Sequence, residues 1–236
     1  MTRAIRWAMF GIIAALALGG IVLAYPAAAA LSCPQCFGFE PVDGSIFVDR
    51  EATPDDRTRI VSLVAEGRGN VEAFYGRPEP LPRILACTTE ACYRRLGGGG
   101  SRGMALMDAG LVLSPRADAT IAAHELAHIA FHARIGRIAT WERTIPQWFD
   151  EGLAVFISED ARYLAPASVS DRCLVEPDGP LPTDRASWIE RAESQALYAK
   201  AACRVGRWVS RMGGMPQVRA AITRWGEGAP FDAARP

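Results

Sequence analysis

The run His124-Glu125-Leu126-Ala127-His128 carries two imidazoles four residues apart, with a carboxylate beside the first. On an α-helix, positions four apart lie about 40° round the axis and about 6 Å along it, so both imidazoles can converge on a single ion. Glu125 then stands one step round, next to the ion and not on it. Such a carboxylate suits a general base, because a divalent cation lowers the pKa of a bound water to about 7 and places its proton within reach. The chemistry this spacing predicts is zinc-assisted hydrolysis. The flanking residues agree with a helix: Thr120 to Ile135 is rich in Ala, Leu and Ile, contains no proline, and meets a C-terminal stop at Gly136. Imidazoles and a carboxylate in so apolar a helix need partners, and a divalent cation supplies one for all of them.

Twenty-three residues beyond the second histidine lies Glu151, within Pro146-Gln147-Trp148-Phe149-Asp150-Glu151-Gly152-Leu153-Ala154. This pairing of segments resembles the gluzincin metallopeptidases and their small peptidase-like domains, in which a second helix contributes a glutamate as third zinc ligand. The resemblance is specific over residues 120 to 157 and looser beyond, where a helical stretch opens at Ala196-Leu197-Tyr198-Ala199 and a short C-terminal segment covers Gly226 to Ala233. It implies His124, His128 and Glu151 as ligands of Zn²⁺ and Glu125 as base. It also implies a zincin-like α+β fold, with a small mixed sheet over the active-site helix and a helical C-terminal subdomain. One position departs from the pattern: many gluzincins carry an aspartate four residues after the ligand glutamate, to orient the first histidine, and Val155 stands there. Ligating histidines donate their other ring nitrogen to a carboxylate or carbonyl; Asp150, Glu159 and a backbone carbonyl all remain open for that task.

All three histidines of the chain fall on the one predicted helix, His132 being the last. It stands about 12 Å along the axis from His124 and about 80° round from it, too far to share a tetrahedral ion. A structural or rim role is the expectation.

Lysine plus arginine and aspartate plus glutamate both count 26; the first thirty residues hold Arg3 and Arg6 and no acid, leaving 24 against 26. That balance does not favour nucleic-acid binding. The apolar run from Trp7 to Ala24 follows those two arginines and precedes an alanine tract ending at Ala30, which makes an export signal. The tract offers an Ala-x-Ala cleavage site, yet the run exceeds the usual 7 to 15 or so residues and just reaches spanning length, so residues 1–30 are read as either a signal peptide or a membrane anchor through 7–24. Both place residues 31–236 outside the cytoplasm, periplasmic or secreted, as one domain. Six cysteines beyond the export segment fit an oxidising compartment and three disulfides. Six cysteines allow fifteen connectivities, of which local pairing of Cys33 with Cys36 and Cys87 with Cys92, leaving Cys173 with Cys203, is the simplest. Cys33-Pro34-Gln35-Cys36 has thioredoxin-like spacing but follows the export segment directly, not a strand, and reads as structural.

The remaining elements must position the histidine helix. Residues 31 to 43 read as an irregular lead-in. Strands are expected at Ser45–Val48, Arg83–Thr88, Met104–Asp108 and Gly110–Ser114, with helices from a Thr53 cap to Tyr75 and from Glu90 to Leu96. Gly97 to Gly103 reads as a loop. Gly110 to Pro115 is expected either as the sheet edge on which an extended peptide docks or as an ordinary core strand. Helices are expected after Glu151 to Ser158, near Ala186 to Gly213, and from Pro216 to Trp225.

The expected reaction is hydrolysis of a peptide or protein substrate, with Glu125 moving the proton and Tyr198 donating to the developing oxyanion; Tyr163 and Arg162 are weaker candidates, and a core-packed tyrosine is the plainer alternative for Tyr198. The rival from another class is a zinc-containing domain that binds peptides or envelope components without cleaving them. A thiol oxidoreductase using Cys33 and Cys36 is the second rival.

Overall fold

The computed structural model describes residues 23–192 and 196–233, together with Trp7 and Gly20. In chain order the helices are α1 (Pro26–Ser32), α2 (Pro54–Tyr75), α3 (Glu90–Arg95), α4 (Ala119–Ile135), α5 (Arg137–Glu142), α6 (Gln147–Ser158), α7 (Arg185–Arg191), α8 (Leu197–Arg211) and α9 (Met215–Gly226). The strands are β1 (Phe39–Asp43), β2 (Ile46–Asp49), β3 (Arg83–Ala86), β4 (Gly103–Leu106) and β5 (Gly110–Leu113), ordered β1-β2-β3-β5-β4. The β2–β3 and β3–β5 pairs are parallel and the two outer pairs antiparallel. The architecture is α+β with a five-stranded mixed sheet.

Successive side chains of a strand point to opposite faces, and the three inner strands use that alternation to build two cores. Ile46, Val48, Ile84, Ala86, Leu111 and Leu113 face the large core under α2, α4 and α6. Leu85 and Val112 face a smaller one with Phe39, Tyr93, Leu96 and, from α1, Ala27, Ala30 and Leu31. The lead-in is therefore more regular than its sequence reads. Its proline is tolerated because Pro41 lies on the outer strand, beside a bulge at Pro41/Asp43. The alanine tract is part of the packed body: Ala30 is fully buried, and Arg83 donates to the Leu31 carbonyl.

The predicted cap of α2 is present: Thr53 Oγ1 accepts from Asp56 N–H at 3.1 Å, and Asp56 returns the bond to Thr53 N–H. Asp118 caps α4 through Ile121 N–H at 2.9 Å, and the helix ends at Gly136 as expected. All three expected disulfides form, Cys33–Cys36, Cys87–Cys92 and Cys173–Cys203, which fits an oxidising, extracytoplasmic setting. Cys173–Cys203 ties the proline-containing loop after α6 to α8. The glycine loop is held by Arg116, whose guanidinium donates to the carbonyls of Gly100 and Ser101 at 3.4 and 3.2 Å.

The stretch expected near Ala186 to Gly213 divides into α7 and α8, with 193–195 outside the described residues. Most of the anchor expected over 7–24 lies outside them too. Among the described residues no helix is long and apolar enough to cross a membrane.

Gly110–Leu113 is interior, between β3 and β4, and all four residues are buried. The sheet edge nearest α4 is instead β4. The two strands could not be ranked from sequence because both are short, apolar and joined by the same turn.

Candidate metal centre

α4 and α6 bring His124, His128 and Glu151 together. His124 Nε2 and His128 Nε2 are 3.2 Å apart, and Glu151 Oε2 lies 3.5 Å from the first and 3.6 Å from the second. Bonds of about 2.1 Å in tetrahedral geometry put ligand atoms about 3.4 Å apart, so the three donors already outline one face of a zinc-sized tetrahedron. Among the described residues this group contributes three ligand atoms, which leaves the fourth position to water or substrate. The side chains expose only 10–13% of their surface. Hard and borderline donors of two imidazoles and a carboxylate are a zinc set.

What orients the ligands lies on the same two helices. His128 Nδ1 is 2.7 Å from Asp150 Oδ1, so Nδ1–H donates to the carboxylate and Nε2 is free to face the ion. Asp150 is thus the partner that the sequence left open, serving the second histidine; Glu159 pairs with Arg172 instead. Glu151 is held by Gln147 one turn earlier, whose amide donates to Oε1 at 2.9 Å. Gln147 went unassigned from sequence, although its i,i+4 relation to Glu151 was there to be read.

His132 is not a ligand of this group. Its Nε2 lies 2.7 Å from Asp150 Oδ2, a hydrogen-bond distance with no room for an ion between them. His128, His132 and Asp150 also form a metal-capable group, but protons already satisfy it.

Two buried carboxylates give this pocket a strong preference for positive charge. Burial pushes Asp150 up, but the charges of His128 and His132 and their hydrogen bonds outweigh it and hold the carboxyl well below the usual range. Glu151 is likewise raised by burial and brought down, by hydrogen bonds to His124 and His128 and then by their charges, to about 2. Burial disfavours a proton on His128, yet Asp150 and then Glu151 raise its affinity well above the ordinary value. The same carboxylates would attract a divalent cation, which would have to displace a proton from the imidazoles in order to bind.

Glu125 turns toward the sheet. Its Oε2 accepts from Ala105 N–H on β4 at 2.8 Å. Ser114 N–H donates to the Arg102 carbonyl, so the paired residues of this ladder fall at even positions of β4 and the N–H of Ala105 points outward from the open edge. Gly103, two residues back, lies against the same side chain: a Cβ there would stand 2.6 Å from Glu125 Cγ. Neither residue was singled out from sequence, since a glycine at the end of a glycine run gives no sign of what it abuts.

Tyr198 lies beside the histidines. Its ring centroid is 6.4 Å from that of His124, it stacks on Tyr163 at 5.1 Å and meets Trp188 edge-on. Burial, then the charge of Glu151, raises its hydroxyl well above the ordinary range, so it stays a proton donor. Arg162 is engaged with Asp160 and Tyr163 serves as the stacking partner.

No protein-family model, curated protein or solved structure matches this chain. The site is carried by its own geometry.

The contact at Gly103 can be tested directly. Gly103→Ala is expected to push the Glu125 carboxylate off Ala105 N–H while leaving the ligand triangle in place; hydrogen exchange at the Ala105 amide should quicken at least ~10-fold, and an unchanged rate would show the contact to be slack.

Proposed function

We propose that the protein is a zinc metallopeptidase of the gluzincin kind, acting outside the cytoplasm on a peptide or protein. The observation that carries this reading is the triangle of His124, His128 and Glu151 donors at 3.2–3.6 Å, with Glu125 next to His124 in the chain. Zinc held by these three residues supplies Lewis acidity toward a water and toward the scissile carbonyl. Glu125 accepts the proton of the attacking water as its oxygen bonds to the carbonyl carbon, and delivers that proton to the amide nitrogen as the C–N bond breaks. Tyr198 donates to the carbonyl oxygen as charge develops on it. The outward edge of β4 offers backbone groups to an extended substrate.

The export reading has support within the fold. Ala27, Ala30 and Leu31 are buried against the small core, and Gly110 is close enough to Leu31 that a Cβ there would stand 2.5 Å from its side chain. Cleavage after Ala30 would remove Ala27 and Ala30 from this core and leave Leu31 at the new N-terminus. Retention of the N-terminal segment as an anchor is therefore favoured over its removal in the alanine tract.

Three measurements bear on this. Glu125→Gln should retain one zinc per chain and lose turnover of an unstructured protein by about 10²–10⁴-fold; equal activity in both forms removes Glu125 as base, and zinc retention with no turnover in the wild type favours the binding-domain rival. Tyr198→Phe should lower kcat by about 10²–10³-fold with little change in KM, whereas an unchanged kcat leaves the residue a packing element. Intact mass of the expressed protein should give the whole chain, 25.5 kDa, in the membrane fraction; a soluble product beginning at Leu31 would show processing instead.

A further inference from the structure

The hydrogen bonds around Asp150 run one residue beyond what three ligands require. His132 Nε2 is 2.7 Å from Asp150 Oδ2, and its Nδ1 is buried with no hydrogen-bond partner. A carboxylate oxygen only accepts, so the proton sits on Nε2. His132 is therefore a donor aimed at one carboxylate oxygen, while His128 Nδ1 occupies the other at 2.7 Å. The two rings sit one turn apart on α4, 5.9 Å between centroids and tilted 34°.

A carboxylate turns easily about its last torsion, which has broad wells. Held by His128 alone, Asp150 can rotate its plane and weaken the bond that aims Nε2 at the ion. Held at both oxygens by imidazoles fixed on one helix, it cannot. We propose that His132 is a positioning residue for the metal centre, acting through Asp150 to lock the tautomer and ring plane of His128. This rests on the metallopeptidase reading above and assigns a task to the one histidine that does not face the ion.

The test is zinc affinity in the full-length protein, measured by competition with a chromophoric chelator for wild type, His132→Phe and His132→Gln, beside thermal melts of the metal-free forms. Phe keeps the ring without a donor; the Gln amide reaches the place of Nε2. The expected result is zinc binding weakened about 10- to 100-fold by Phe and largely restored by Gln. Packing alone predicts the reverse order, with Phe near wild type and Gln the weaker. His132→Asn, too short to reach Asp150, should match Phe and serves if Phe does not fold. Zinc bound by His132→Phe or His132→Asn as tightly as by the wild type overturns the proposal. A wild type that holds no zinc overturns the reading beneath it, and this proposal with it.

Discussion

Two consecutive carboxylates, Asp150 and Glu151, sit in the interior on one turn of α6, and the rest of the site answers to the cost of keeping them charged there. A buried carboxylate without partners loses its hydration and is not repaid by the medium around it. Neighbours on a helix point about 100° apart, so the two acids cannot share one partner face. Asp150 meets the Nδ1 side of His128 and the Nε2 of His132, and Glu151 meets the Nε2 atoms of His124 and His128. One helix supplies all of these nitrogens because histidines four residues apart form a stripe along it. The contact between α4 and α6 is thereby electrostatic at its centre.

That contact needs a rigid backing, and α6 obtains it from the residue before the acids. Phe149 is fully buried, with ring centroids 5.0–6.0 Å from Phe131, Trp208, Trp225 and Phe231. Its aromatic neighbours come from α4, α8, α9 and the C-terminal tail, so α6 cannot turn about its axis without disturbing each of them. On the next turn Gly152 lets α8 approach: a Cβ at that position would lie 2.6 Å from the Ala201 carbonyl oxygen. The same close approach puts Tyr198 beside His124. Apolar packing on one side of α6 and ion pairing on the other are two faces of one helix register, and shifting it by a residue would lose both.

The helix spacing made the ligand pair legible in the sequence, and helix punctuation at Thr53 and Gly136 did the same for the elements that carry it. Local cysteine spacing sufficed for the three disulfides. What escaped depended on contacts between residues distant in the chain. The edge position of β4 follows from β5 joining β3 in parallel, which no local pattern in Gly110–Leu113 encodes. α1 was hidden because an alanine tract after an apolar run reads as a processing site, and only packing with Leu85, Tyr93 and Val112 makes those alanines core. The choice of Asp150 as partner of His128 needed the angle between two helices. Gln147, by contrast, was one helical turn from Glu151 and accessible to the same reasoning that found His124 and His128.

Glu125 shows how the two halves of the site are coupled. Its neighbours on α4 are the proposed ligands, yet its carboxylate is oriented by the sheet, through the outward N–H of Ala105 and against the bare Cα of Gly103. An outward N–H on an edge strand is the group that a peptide laid along that edge would seek. Under the proposed reading, substrate pairing and placement of the base therefore use the same few atoms of β4, and a peptide in the correct register arrives with its backbone beside the carboxylate that must receive a proton. A helix alone could not arrange this, because residues one step apart on it diverge: the histidines turn toward α6 while Glu125 turns toward the strand. Binding of the ion is then a property of two helices, and alignment of the reacting bond a property of the sheet edge. These two sets of contacts share no residue, so substitutions at Gly103 and at Asp150 should act on different steps.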